Sequence, residues 1–309
     1  ISDSTSIQYT WDHRNRLTKV TFKNSGGTAT KIVEYCYDHG QRWIRKTLDT
    51  NADGTIEQSQ IFVHDQGQIV LDFQKTGAEP ATTLDLARRY LWGPAVDQLL
   101  ADETVDDGTA DDVSWVLGDH LNSVRDLAVY DPVTQMVSVV KHVTFDAFGN
   151  VTSDSAPGVK VLFLFTARPF DPDSELQNNG FRWYDLSTAR WMSADPIGFS
   201  AGDVNLYRYV KNWVLSYRDP HGLYEIAPVP PPWISPLDPP FNPGIGDIPT
   251  WPPSLAPPDL IANPGGVLQE LAEQAVEQYK NGIIDSFDNL LSRLEGLGFH
   301  ESAAFGNQF

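Results

Sequence analysis

Two short stretches of this chain carry acidic side chains at positions where the backbone is constrained. Asp195-Pro196-Ile197-Gly198 recurs 24 positions later as Asp219-Pro220-His221-Gly222. Asp-Pro-x-Gly is turn chemistry. Proline presets φ, aspartate accepts from the backbone ahead of it, and glycine closes the turn. A single copy reads as a turn and nothing more. Two copies in one aromatic-rich stretch shift that reading, because the second sits where the composition changes from aromatic and β-branched to proline-rich.

Two other groups have the residue types of a site. In Asp49-Thr50-Asn51-Ala52-Asp53-Gly54-Thr55-Ile56-Glu57, the oxygens of Asp49, Asn51, Asp53 and Glu57 alternate as in the first half of an EF-hand loop. The twelfth position holds Gln60 in place of a bidentate glutamate, and the flanks read as strands. A polar hairpin loop is therefore the stronger reading and a calcium site the weaker. Asp119, His120 and Ser123 are the types of a hydrolytic triad. On a strand–turn–strand they are too close in sequence to converge as nucleophile, base and orienter, and no nucleophile elbow surrounds Ser123. His13, His39 and His64 lack ligand spacing.

The elements that must position these residues read as β-hairpins. Residues 5–75 hold three loose repeats, around Tyr9-Thr10-Trp11-Asp12, Tyr35-Cys36-Tyr37-Asp38 and Phe62-Val63-His64-Asp65, with the aspartates at a period near 26. Each is an alternating aromatic strand, a polar turn and a second alternating strand. A sustained period of this kind indicates stacked repeats. Tyr9/Trp11 and Tyr35/Tyr37 are two apart, so each pair shares one strand face as a packing ladder rather than a sugar platform. Val143–Thr152 reads as another hairpin, and the apolar run Val161–Phe165 as a buried strand.

The whole chain sets further bounds. Its 309 residues can bury a large core, and one or two domains are expected. The net charge of −19 argues against nucleic acid and anionic membrane as partners. The single cysteine, Cys36, excludes an internal disulfide framework and a cysteine-based metal site. No run has the length of a membrane span. The opening Ile1-Ser2-Asp3 enters a repeat almost at once, so the chain reads as the C-terminal part of a longer protein.

The closing stretch resembles the Rhs-repeat-associated core domain, which closes the shell of Rhs and YD-repeat proteins and of the C component of Tc toxin complexes. The resemblance rests on Phe165-Thr166-Ala167-Arg168, Phe181-Arg182-Trp183-Tyr184-Asp185, Arg190-Trp191, Asn205-Leu206-Tyr207-Arg208-Tyr209-Val210 and the two Asp-Pro-x-Gly units. Arg89-Tyr90-Leu91-Trp92-Gly93-Pro94 is similar to the segment that opens the core region. Asp119-His120-Leu121-Asn122-Ser123-Val124-Arg125 is similar to a further core segment, with Asn122 where glycine is usual. Gln177-Asn178-Asn179-Gly180 replaces a segment that is usually Tyr-rich, and Trp213-Val214-Leu215 stands where Asn-Pro and an apolar residue are usual. The match spans about residues 85–223, with looser YD-repeat similarity before it.

The resemblance implies an all-β fold, a spiral of YD-repeat hairpins forming part of a hollow shell. With the composition, it divides the chain into hairpins (1–84), the core domain (85–223), a linker read from its prolines (224–264) and a tail (265–309) whose apolar stripe from Leu268 to Leu294 reads as an amphipathic helix over 266–295. It also implies self-cleavage between Leu223 and Tyr224, with Asp195 and Asp219 as a carboxylate pair close enough to share a proton, one acting as general base and the other as general acid, and Arg182 positioning or charge-balancing one of them. The function so implied is a shell that encloses and releases its own C-terminal polypeptide, in single-turnover autoproteolysis of the aspartic-protease type. No cofactor is expected. The expected partners are the enclosed segment, an N-terminal remainder of the protein, and a secretion apparatus or a neighbouring cell surface. The location is secreted or at a bacterial cell surface. The tail has one histidine, His300, and no cysteine, which makes a poor toxin. The competing reading is a structural surface protein for adhesion that does not cleave, with carbohydrate binding as a third.

Overall fold

The computed structural model describes residues 6–105 and 112–227. The chain divides into a unit of residues 1–234 and a second of residues 235–309. The expected helix and all of the proline-rich linker beyond residue 227 lie outside the described residues.

Twelve strands form one antiparallel sheet in strict sequence order. They are β1 (Ser6–Trp11), β2 (Leu17–Lys23), β3 (Ala29–Tyr37), β4 (Trp43–Asp49), β5 (Gln58–Asp65), β6 (Gln68–Thr76), β7 (Leu86–Trp92), β8 (Leu99–Thr104), β9 (Asp112–Gly118), β10 (Val124–Asp131), β11 (Met136–Phe145) and β12 (Val151–Asp154). β6 pairs with β7, so the sheet continues across the expected boundary at residues 84/85. A second, four-stranded sheet follows: β13 (Phe170–Asp171), β14 (Leu176–Asn179), β15 (Arg182–Asp185) and β16 (Arg190–Trp191).

The aspartate of the repeat has a definite physical task. Asp12 Oδ1 accepts from the amides of Arg14 (2.9 Å) and Arg16 (3.0 Å), two and four residues on. Asp38, Asp119 and Asp146 do the same at the turns before β4, β10 and β12. The third residue after each aspartate has positive φ: Asn15, Gln41, Asn122 and Gly149. That is why glycine is usual at this position and why Asn122 serves in its place. Neighbouring turns are also clasped together, since Arg16 Nη1 donates to Asp38 O at 3.1 Å. The third repeat differs. Gln66 and Gly67, both at positive φ, make a two-residue turn between β5 and β6. Such a turn closes the hairpin by backbone geometry alone.

The aromatic faces build the core. Tyr35, Trp43, Phe62 and Trp183 are buried against one another with ring centroids 4.7–5.7 Å apart. Tyr9, Trp11 and Tyr37 pack against the same cluster, as the spacing of the pairs predicts. A second cluster joins Phe165, Tyr184, Trp191 and Tyr209. The second sheet is pinned to the first by a buried polar clasp. Asp171 takes hydrogen bonds from Tyr35, Ser174 and Lys46, and Lys46 also pairs with Asp173.

One strand expectation fails. Leu162, Phe163 and Phe165 are buried, but Val161–Phe165 is not a strand. Thr166 and Ala167 both take positive φ and turn the chain straight back, with Leu164 N donating to Arg168 O. A short apolar run specifies burial without specifying the backbone that achieves it.

Candidate functional site

The two Asp-Pro-x-Gly turns meet on one guanidinium. Arg182 opens β15 and is buried, with its guanidinium carbon 4.2 Å from the centroid of the Trp191 ring. Its Nη1 lies 3.0 Å from Asp195 Oδ2, and its Nη2 lies 3.2 Å from Asp219 Oδ2. Its Nε donates to Gly222 O at 2.6 Å. The sequence expectation of two carboxylates sharing one proton therefore takes a different form, in which Arg182 stands between them. Burial pulls the Arg182 guanidinium below its ordinary range, against the opposing pull of Asp219 and Asp195.

The turns do different local work. Asp195 Oδ1 accepts from Ile197 N at 3.0 Å, and Gly198 N closes on Asp195 O at 3.0 Å. Asp219 Oδ1 reaches further along the chain. It accepts from Leu223 N at 3.0 Å and from Tyr224 N at 3.3 Å. Its carboxyl thus lies against the nitrogen of the Leu223–Tyr224 bond. Burial pushes Asp219 up to about 6, although Arg182 and the amides of Leu223, Gly222 and Tyr224 pull the other way. Beside the pair lies a cavity of about 20 Å³ lined by Arg182, Trp191, Asp195, Asp219, Leu223 and Tyr224. That is room for about one water molecule.

Gly222 permits the close approach. It has φ +69°, and a Cβ there would stand 2.8 Å from Asn179 O and 2.9 Å from Arg182 N. Asn179 Nδ2 donates to Asp219 O at 2.6 Å, and Gln177 Nε2 orients Asn179 through Oδ1 at 2.9 Å. These residues belong to the segment that departs from the usual Tyr-rich pattern, and sequence reasoning gave them no role. Their type was the available signal, since buried amides on a short strand must find partners.

The remaining candidates do not assemble a second centre. Asp119 is occupied by the amides of Leu121 and Ser123. His120 Nε2 lies 2.9 Å from Leu215 O, and Ser123 Oγ accepts from Thr166 N. Asp49, Asp53 and Glu57 do bring carboxylate oxygens within 4.8 Å of one another. These oxygens are already engaged by the loop: Asp49 by Asn51 N and Gly54 N, Asp53 by Thr55 N and Asn51 Nδ2, and Glu57 by Thr50 N. Among the described residues, no helix is long and apolar enough to cross a membrane.

A sheet of sequential antiparallel hairpins, followed by a small sheet that carries a buried Arg182 between two aspartates, matches a YD-repeat shell. The Teneurin YD-shell family matches residues 105–214. Over 83 residues, 26% of this chain and 35% of the relative, it is 36% identical to the uncharacterized protein YibJ of Escherichia coli strain K12. It is also similar to solved structures of Tc toxins. A crystal structure of TcdB2-TccC3-TEV aligns at TM-score 0.53 and 18% identity, covering 72% of this chain and 10% of that one. TcdB2-TccC3 without its hypervariable C-terminal region gives the same values. The Photorhabdus luminescens Tc holotoxin pore, with an aspartate-to-alanine mutation in TccC3, gives TM-score 0.52 at 18% identity over 72% of this chain and 10% of that one. The chain thus has the fold of an Rhs/YD-repeat shell segment, similar to that of the Tc toxin components. It spans about a tenth of the length of those structures and about a third of YibJ.

Proposed function

We propose that this chain closes an Rhs-type shell and hydrolyses its own Leu223–Tyr224 bond, freeing the polypeptide that begins at Tyr224. One observation carries the reading. Asp219 Oδ1 lies 3.3 Å from Tyr224 N, the nitrogen that must leave, and the same carboxyl titrates at about 6. A carboxyl so placed can hold a proton near neutrality and give it up as the bond breaks. In the reaction, the oxygen of a water molecule adds to the Leu223 carbonyl carbon, and one of its protons passes to Asp195. The C–N bond then breaks, the Asp219 proton passes to Tyr224 N, and a Leu223 carboxyl and a Tyr224 amine remain. Arg182 balances the charge of both carboxylates through the sequence. The event is single-turnover and in cis.

In this reading residues 224–309 correspond to the hypervariable C-terminal region named for one of the similar structures. The shell is exported to the bacterial surface or beyond, and its own tail is its first partner. The Arg182 ion pairs also favour a second reading, a surface shell protein that does not cleave, because a buried carboxylate paired with arginine can hold a loop without reacting. Intact mass of the parent, Asp195→Asn and Asp219→Asn separates the two. A break after Leu223 in the parent alone supports cleavage. A folded parent that stays whole refutes it and leaves the second reading.

A further inference from the structure

The loop that carries Asp219 and the Leu223–Tyr224 bond is closed at its base by reciprocal backbone bonds. Arg218 N donates to Ile226 O at 3.0 Å, and Ile226 N to Arg218 O at 2.7 Å. The Arg218 side chain then leaves the loop. It is 2% exposed and forks onto two carbonyls far away in sequence, Nη1 to Leu121 O at 3.0 Å and Nη2 to Val96 O at 2.9 Å. Val96 lies in the β7–β8 turn and Leu121 in the Asp119 turn between β9 and β10. The two turns are joined to each other by Asn122 Nδ2, which donates to Val96 O at 3.1 Å. Beside Val96, fully buried Asp97 holds Arg168 Nη1 at 3.0 Å and is the carboxylate that most favours the charge of Arg218.

A buried guanidinium is costly unless its donors find acceptors. Until both turns exist, the acceptors of Arg218 are not in place, and burying it is unfavourable. We infer that Arg218 couples the cleavage loop to the finished sheet, so that Asp219 and the Leu223–Tyr224 bond are held in their reacting arrangement only after the β7–β8 and β9–β10 turns have formed. Arg218 is a positioning residue. It touches neither carboxylate of the pair nor the bond, but it fixes the backbone one residue before Asp219. The charged and titratable groups around Asp219 are Arg182, Asp195 across that guanidinium, and Tyr209 from the second aromatic cluster. This inference rests on the cleavage reading for its consequence and on the fork geometry for its substance.

The test uses the full chain with Arg218→Met and Arg218→Lys. Cell-free synthesis at fixed pH, with intact mass followed in time, reads the cleavage rate. Carbon-13 titration of the Asp219 carboxyl, with Asp195→Asn added to prevent cutting, reads its environment. With the fork lost, Arg218→Met should cut at least about tenfold more slowly, and Asp219 should titrate below about 6, nearer an ordinary aspartate. Arg218→Lys keeps the charge without the fork and should lie between. It supplies the answer if the methionine variant does not fold. Parental rate and titration in both variants would overturn the inference while leaving cleavage intact. A parent that never cuts, with an Asp219 titration that still follows Arg218, would remove the cleavage reading and keep the coupling.

Discussion

The Asp219 carboxyl makes a prediction that can be read without any cleavage. In the fold it titrates at about 6, against 3.8 for an ordinary aspartate, because burial disfavours its charge more than Arg182 and the loop amides favour it. A carboxyl raised in this way adds stability that is complete below the unfolded value and is lost as pH rises through the folded value. The gap amounts to about 3 kcal/mol at about 1.4 kcal/mol per tenfold. Asparagine cannot ionise. In a chain kept whole by Asp195→Asn, adding Asp219→Asn should therefore raise stability at pH of about 7.5 by up to about 3 kcal/mol, relative to its effect at pH of about 4. Urea unfolding monitored by tryptophan fluorescence at the two pH values measures the difference, through Trp183 and Trp191, which flank the site. An unchanged spacing between the two unfolding curves from acid to neutral pH would refute the buried, proton-holding carboxyl. The general-acid role would fall with it. If the role stands, cleavage itself should slow as pH rises through about 6.

Three further outcomes follow from other contacts. Lys46→Met leaves the fully buried Asp171 without its cation and should cost about 3–5 kcal/mol at neutral pH. Burial raises Asp171, yet Lys46 and the hydrogen bonds around it hold the carboxyl below its ordinary value. The stability this contributes is present above the unfolded value and fades as pH falls, so thermal melts of parent and Lys46→Met should converge in acid. Gly222→Ala places a methyl group against Asn179 O and Arg182 N at positive φ. It should cost about 1–3 kcal/mol and, under the proposed cleavage, abolish the break after Leu223 in intact-mass analysis. Millimolar calcium should leave the melting temperature unchanged, because the Asp49, Asp53 and Glu57 oxygens already serve the loop's own donors. A rise on adding calcium, absent in Asp53→Asn, would show a cation site there.

The hairpins were legible in the sequence because a period near 26, alternating aromatics and an aspartate at each turn are local signals, and β1–β6 fall where those signals place them. The third repeat shows the limit of that logic. Asp65 keeps the period, while Gln66 and Gly67 make the turn. At the candidate site, the residues carried over by family resemblance, Arg182, Asp195 and Asp219, are brought together. Arg218, Asn179 and Asp97 were not foreseen. Their partners lie 40 to 122 residues away, and no local pattern announces a side chain whose work is done at such a distance. Arg182 was expected beside one carboxylate, and the structure pairs it with both.

The clasp between the two sheets bears on how the chain is made. Each of β2 to β12 pairs with the strand before it, so the large sheet can grow hairpin by hairpin behind the ribosome. Its aromatic face cannot be covered in that order. Tyr35 and Trp43 receive Trp183, and Tyr35 receives Asp171, only from segments synthesised after the large sheet is complete. Throughout that interval the nascent protein presents a row of wet aromatic rings beside a growing strand edge, which is a surface that invites aggregation. The protein's dependence on chaperones should therefore be greatest while the ribosome is between β5 and β15, and a stop placed just before β13 should yield a chain that binds holdases and is poorly soluble.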